Sequence, residues 1–111
     1  MKQYEVKSTK QANDHVLDYA EYIQNELLNP QAARKFVNDI RAAVKSLNQM
    51  PQRNPLTEEE PWRSMEVRKM VVRGYIVYYW IDEENQVVHV TGVVYGKRDQ
   101  AKQLADIDFE Q

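Results

Sequence analysis

The stretch that decides the fold runs from Val67 to Tyr95 and reads VRKMVVRGYIVYYWIDEENQVVHVTGVVY. Val67 to Val72 has the β-branched content of a strand, and Arg73-Gly74 reads as a tight turn. Tyr75 to Ile81 (YIVYYWI) is almost wholly aromatic and β-branched, the composition of a central strand. Asp82 to Gln86 is a polar turn, and Val87 to Tyr95 (VVHVTGVVY) is the next strand, with Gly92 marking a bulge or a close approach. Alternation along the central strand puts Val77, Tyr79 and Ile81 on one face and Ile76, Tyr78 and Trp80 on the other. Both sets are large and apolar, so both faces of this meander need cover.

The preceding sequence supplies cover for one face. Tyr4, Val6 and Ser8 alternate with Glu5 and Lys7 as a short first strand. Ser8 or Thr9 then caps a helix predicted from about Lys10 to Leu27, whose apolar stripe is Ala12, Val16, Tyr19, Ala20, Ile23 and Leu27. Asn29-Pro30 restarts the chain, because proline at the first helical position loses no hydrogen bond. A second stripe runs through Ala33, Phe36, Val37, Ile40, Val44 and Leu47, so this helix is predicted to end near Met50. So short a join folds the two helices back on each other. Pro51, Pro55 and Pro61 then break the pattern through a long loop, read either as a contact surface or as a tether between helix and sheet. Lys97 to Ala105 is predicted to be a short helix, and residues 106–111 a frayed tail. The expected architecture is α+β: an N-terminal strand, an antiparallel helical hairpin on one face of a mainly antiparallel sheet of about four strands, and a short C-terminal helix. The second sheet face must line a binding surface or be covered by the termini and a partner.

A chain of 111 residues fits one domain spanning 1–111, and 42% hydrophobic with 29% charged residues is an ordinary globular composition. Cysteine is absent, which excludes disulfide frameworks, thiolate nucleophiles and cysteine zinc sites and suits a reducing compartment. Met1 to Lys10 is too polar for a signal peptide, and no apolar run is long enough to span a membrane, so a cytoplasmic location is expected. Two histidines far apart in sequence and the lack of a Gly-rich phosphate loop predict no metal and no cofactor. The net charge of −2 argues against indiscriminate nucleic-acid binding. Within that balance, Arg63, Arg68, Lys69 and Arg73 form a local basic stretch between acidic runs. It reads either as a basic site or as solvated edge charge that discourages strand pairing.

The order of elements, together with RKMVV at 68–72, GYIVYYWIDE at 74–83 and YGKRD at 95–99, resembles the RelE/ParE family of toxins from bacterial type II toxin–antitoxin systems. The Asn29 to Ala33 join and the Leu47 to Pro51 helix exit are similar too, so the resemblance covers Tyr4 to about Leu104. It implies a growth-inhibiting toxin neutralised by a cognate antitoxin protein. It also implies one of two cellular targets: DNA gyrase for ParE-type members, or the ribosome with its mRNA for RelE-type endoribonucleases. Fold alone does not choose between them.

Metal-free RNA cleavage needs a base for the 2′-hydroxyl, cations for the charged phosphorane and an acid for the leaving oxygen. The resemblance points to Arg98 after the last strand as a phosphate clamp and to Lys69 as a base or phosphate contact. The plainer readings are an arginine paired with Asp99 or an acidic tail residue, and an edge lysine that blunts aggregation. His89 is the one histidine near this region and the natural acid or base, although a lone strand histidine is more often structural. Arg73 is a candidate phosphate contact, and Tyr78, Trp80 and Tyr95 are candidate rings for holding target or base. His15, on the first helix, is read as a surface residue. Two positions depart from the RelE-type set: Ile76 stands where an arginine follows the Gly-Tyr pair, and Leu104 where the terminal helix carries a tyrosine. Those losses, with the apolar hairpin helices, tip the reading towards a ParE-like toxin lacking an intact nuclease site, with the ribosome-dependent endoribonuclease and a non-toxic partner-binding module as alternatives.

Overall fold

A computed structural model describes residues 3–109. The elements are β1 (Glu5–Ser8), α1 (Lys10–Asn25), α2 (Pro30–Lys45), β2 (Arg68–Val72), β3 (Tyr75–Asp82), β4 (Val87–Tyr95) and α3 (Gln100–Ala105). The four strands form one sheet in the order β1-β4-β3-β2, with β1 parallel to β4 and the other pairs antiparallel. The parallel pair follows from the helical hairpin, which carries the chain back across the sheet before the meander begins.

Local chemistry sets the element ends. Thr9 accepts the Ala12 N–H at 3.1 Å to start α1, and Asn29 accepts the Ala32 N–H at 3.1 Å to start α2. α1 stops at Asn25, short of the predicted Leu27, because the exit passes through Leu28 at φ 52° and leaves Leu27 and Leu28 exposed. α2 stops at Lys45 and tightens into a 3-10 turn at Ser46–Asn48. It cannot reach Met50, which precedes Pro51 and sits at φ 47°, outside the helical region. Arg73 and Gly74, both at positive φ, turn β2 into β3.

The helical hairpin covers the face that carries Val77, Tyr79, Val88, Val90 and Val93, all at most 1% exposed. Phe36 and Ile40 of α2 reach into this layer. The long loop is a tether with structure of its own. Its Leu56 bridges Arg68, the Lys69 N–H donates to Pro55 O at 3.0 Å, and the Thr57 N–H donates to Val67 O at 2.8 Å. It therefore lies along the outer edge of β2 as an extra strand segment. Arg68 donates to the carbonyls of Gln52 and Asn54, and the Tyr79 hydroxyl donates to Pro51 O at 2.6 Å, so the loop is bolted from the sheet side.

The second face is closed by the chain's own C-terminal segment. Ile76, Tyr78, Val94, Leu104 and Ile107 form a second buried cluster with Val67, flanked by Trp62 and Phe109. The tail predicted to fray thus docks over 106–109, with Ile107 only 7% exposed, because the apolar face of β3 offers it a seat. Residues 110 and 111 of that tail lie outside the described residues.

Gly92 sits at the bulge, where Tyr78 pairs with Gly92 while Tyr79 pairs with Val90. A Cβ at Gly92 would fall 2.5 Å from Ile107 Cδ1, so the bare backbone is what admits the tail. His15 is not the surface residue expected. It is half-buried, and its Nδ1 accepts the Val93 N–H at 3.1 Å beside the bulge.

Candidate functional site

The residues singled out in the sequence fall into three separate places. The first is the sheet face that carries the C-terminal segment. The register places Lys69 opposite Tyr78 and Trp80 opposite His89, with Lys7 of β1 beside His89. Trp80 and His89 stack with ring centroids 4.4 Å apart and planes 17° from parallel. The indole Nε1 is buried without a hydrogen-bond partner among the described residues. This strip lies beyond the C-terminal cover and is partly exposed.

Tyr78 belongs to the same face but does not offer a ring. It is fully buried, and its hydroxyl donates to Gln100 of the C-terminal helix. Burial pushes its phenol far up, away from any titration near neutrality. The expectation that Tyr78 stacks on a target is therefore corrected for the closed chain. The two departures from the RelE-type set sit in the same buried cluster: Ile76 and Leu104 are 8% and 0% exposed. Where that nuclease set places charge and a phenol, this chain has apolar packing.

The second place is the β2–β3 turn. Arg73 Nε lies 2.5 Å from Asp39 Oδ2, and Lys35 Nζ lies 3.7 Å from the same oxygen. Arg73 thus ties the turn to α2, a structural task that engages the guanidinium expected to meet phosphate.

The third place is the far end of β4. Arg98 and Tyr95 line a cleft of about 680 Å³ with Tyr19, Tyr22, Leu27 and Tyr75. Two ring contacts line it, Tyr75 edge-to-face with Tyr19 at 5.1 Å and tilted against Tyr95 at 5.4 Å, and Phe36 packs on Tyr75 at 4.6 Å. Tyr19 holds the strand end by accepting the Tyr95 N–H at 2.9 Å. Burial, and then the neighbouring phenols of Tyr19 and Tyr95, raise the Tyr75 pKa, so this ring presents a protonated hydroxyl to the cleft. Arg98 is exposed and has no carboxylate within ion-pair distance among the described residues, so the plainer reading of a pair with Asp99 is not realised.

Arg98 and His89 do not meet. From His89 to Tyr95 the strand rises about 20 Å at ~3.3 Å per residue. Arg98 follows Tyr95 and turns into the cleft beside α1, whereas Lys69, Trp80 and His89 stand on the opposite face of the sheet. One phosphate cannot touch all of them in this conformation.

Sequence reasoning missed Gln11 and His15 as working residues. The signal was present: Gln11, His15 and Tyr19 follow the helical spacing beside Ala12 and so flank the buried stripe. No helix among the described residues is long and apolar enough to cross a membrane.

Comparison with known proteins places this geometry. The description "ParE toxin of type II toxin-antitoxin system, parDE" matches residues 6–100. Among solved structures, one titled as the chromosomal ParDE system of P. aeruginosa superposes with a TM-score of 0.69 at 18% identity, covering 86% of this chain and 98% of that one. A chain of the RelBE2 toxin–antitoxin complex from Mycobacterium tuberculosis superposes with a TM-score of 0.61 at 21% identity, covering 86% and 93%. At such identities these two likenesses speak for the fold alone. The search of curated proteins gave no match. With most of its length matched by that one family, the chain belongs to the ParE toxins of type II toxin–antitoxin systems.

Proposed function

We propose that this toxin arrests bacterial growth by binding DNA gyrase in the cytoplasm, and that a cognate antitoxin masks it until release. The observation that carries this reading is the closure of the sheet face over Ile76, Tyr78 and Leu104. A nuclease needs its base, acid and cations around one phosphate, and here that ground is apolar and covered. What stays open is a tyrosine-lined cleft with a cation at its rim, Arg98. Aromatic and arginine side chains are the groups that dominate protein–protein contacts. The solved relatives are titled as ParDE and RelBE2 toxin–antitoxin systems, which supports an antitoxin for this chain as well.

A second reading, the ribosome-dependent mRNA endoribonuclease, is favoured by one feature: the Trp80–His89 stack next to Lys7 and Lys69. A ring pair beside two cations suits a base and its phosphate.

Induction of the chain alone in bacteria separates these readings. Growth arrest with linearised plasmid and inhibited supercoiling by purified gyrase is the expected result. New message ends at codons, found by primer extension with gyrase unaffected, would replace it with the nuclease. Unimpaired growth would leave a non-toxic partner-binding module. In the first case, Arg98→Ala weakens inhibition while the melting temperature is unchanged.

A further inference from the structure

Gln11 and His15 are one helical turn apart on α1 and address two adjoining segments, the stretch beyond α3 and the end of β4. Gln11 clamps the segment beyond α3 at two points. Its Nε2 donates to Asp106 O at 2.7 Å, and its Oε1 accepts the Asp108 N–H at 2.8 Å. His15 reaches past the segment to β4, where Nδ1 accepts the Val93 N–H at 3.1 Å. Between these contacts lies Gly92. A Cβ placed there would meet Ile107 Cδ1 at 2.5 Å, Ile107 Cγ1 at 3.0 Å and His15 Cε1 at 3.5 Å. The imidazole, the bare backbone of the bulge and the Ile107 side chain therefore close on one point.

We propose that His15 is a proton-operated latch: its neutral ring holds the β4 bulge in the form that seats Ile107, and protonation at Nδ1 frees the 106–109 strap from the sheet face. The chemistry is direct. With Nδ1 accepting from Val93, the ring proton sits on Nε2. A solvent proton arriving at Nδ1 converts the acceptor to a donor facing a donor. The 3.1 Å contact then cannot persist, and the Gly92–Val93 backbone must shift away from the ring. Ile107 rests on that backbone, so its seat is lost with the bond.

Charged neighbours bear on the proton in both directions. Asp14 and Asp18 on α1 favour the charged ring, but burial opposes it more strongly, and the net effect lowers the His15 pKa. β4 meets the ring through the Val93 N–H, Gly92 has no side chain at this point, and Tyr95 of the same strand lines the cleft. The strap brings apolar Ile107 to this point and carries the carboxylates of Asp106 and Asp108. The cleft that His15 lines also contains the Arg98 cation and the phenols of Tyr19 and Tyr22. The latched state therefore has a depressed histidine pKa. Its advantage is complete above the ordinary value near ~6.5 and is lost as pH falls from there through the latched value. Release uncovers Tyr78, Ile76 and Val94, the same face that the strap keeps closed.

The test is amide hydrogen exchange on the full chain from pH 7.5 down to 4.5, corrected for intrinsic rates, with Trp62 fluorescence as a second reporter because Trp62 packs on the same cluster. Protection at Val93 and Ile107 should fall with decreasing pH by up to about tenfold per unit, the limit for one proton, while the interior of β3 stays protected. His15→Asn keeps an acceptor at the same bond distance from the backbone but does not titrate, so its protection should be flat. If that variant does not fold, NMR of the wild-type chain decides. The ring must be the Nε2–H tautomer at pH 7.5, and the Ile107 methyl must shift with the midpoint of the His15 titration. An His15→Asn profile that follows the wild type, an Ile107 shift at a different midpoint, or loss of protection across β3 together with the strap would each overturn the latch.

Discussion

Leu104→Ala measures how far the C-terminal segment is part of the fold rather than an appendage. Leu104 is fully buried between α3 and β3, in the cluster with Ile76, Tyr78 and Val94. Burying a leucine side chain contributes about 1.5–3 kcal/mol, and the cavity left on truncation adds to the loss, so such changes cost about 2.5–5 kcal/mol. The site can partly collapse, because α3 is a six-residue helix that can settle towards the sheet. The lower half of the range, about 3 kcal/mol, is therefore expected. With a urea slope of roughly 1.5 kcal/mol per molar for a chain of this size, the midpoint should drop by about 2 M. Val71→Ala is the control: it lies on the same sheet face but is 68% exposed, and it should cost less than about 0.5 kcal/mol. Urea denaturation followed by far-UV circular dichroism reads both. A Leu104→Ala loss under about 1 kcal/mol, with the two variants indistinguishable, would refute the view that the segment closes a second core.

Three further substitutions probe what holds the sheet edges and turns. Tyr79→Phe deletes a buried hydroxyl that donates to Pro51 O and accepts from Asn54, and should cost about 1–2 kcal/mol by leaving that carbonyl unmet; equilibrium denaturation checks it. Gly96→Ala would put a Cβ 2.6 Å from Gly74 O, a backbone atom that cannot rotate away. A loss of about 2 kcal/mol is expected, read as a lower melting temperature, with Gly92→Ala milder because Ile107 can partly yield. Arg73→Ala combined with Asp39→Ala in a double-mutant cycle should give a coupling below about 1 kcal/mol that fades in high salt, since the guanidinium is largely exposed.

The sequence was most informative where side-chain periodicity and backbone chemistry agree. The β3 run of YIVYYWI, the Asn29-Pro30 restart and the Arg73-Gly74 turn each carry enough local preference to be read without tertiary context, and their positions hold in the structure. Helix ends were less legible. Whether α1 stops at Asn25 or Leu27 depends on Leu28 adopting a left-handed conformation, which its side chain does not advertise. The cover of the second face was posed by the sequence but not solved by it. Asp106 to Phe109 looks like a polar tail with two apolar residues, and only the shape around Gly92 makes Ile107 a core residue. The candidate site was legible residue by residue and not as an assembly. Lys69, His89 and Arg98 are each at the expected place on a strand or just beyond one, yet a sheet has two faces and two ends, and sequence spacing does not bring them together.

The two departures from the nuclease pattern, Ile76 and Leu104, gain meaning from being neighbours in one cluster. Taken separately they read as the loss of a charge and the loss of a phenol. Within one cluster, they are one change of environment. An arginine at position 76 would bring a charge into a site only 8% exposed, with Leu104 and Val94 around it and no carboxylate among the cluster residues to pair with. Such a charge costs several kcal/mol unless partnered or hydrated. Apolar residues at 76 and 104 thus share one buried cluster, and it is this cluster that seats the C-terminal segment on the sheet. On the proposed reading, the same packing that closes the second core covers the ground on which an RNA phosphate would sit. On that reading, one buried cluster bears on both stability and target choice, and the cleft at Arg98 is the surface left for binding.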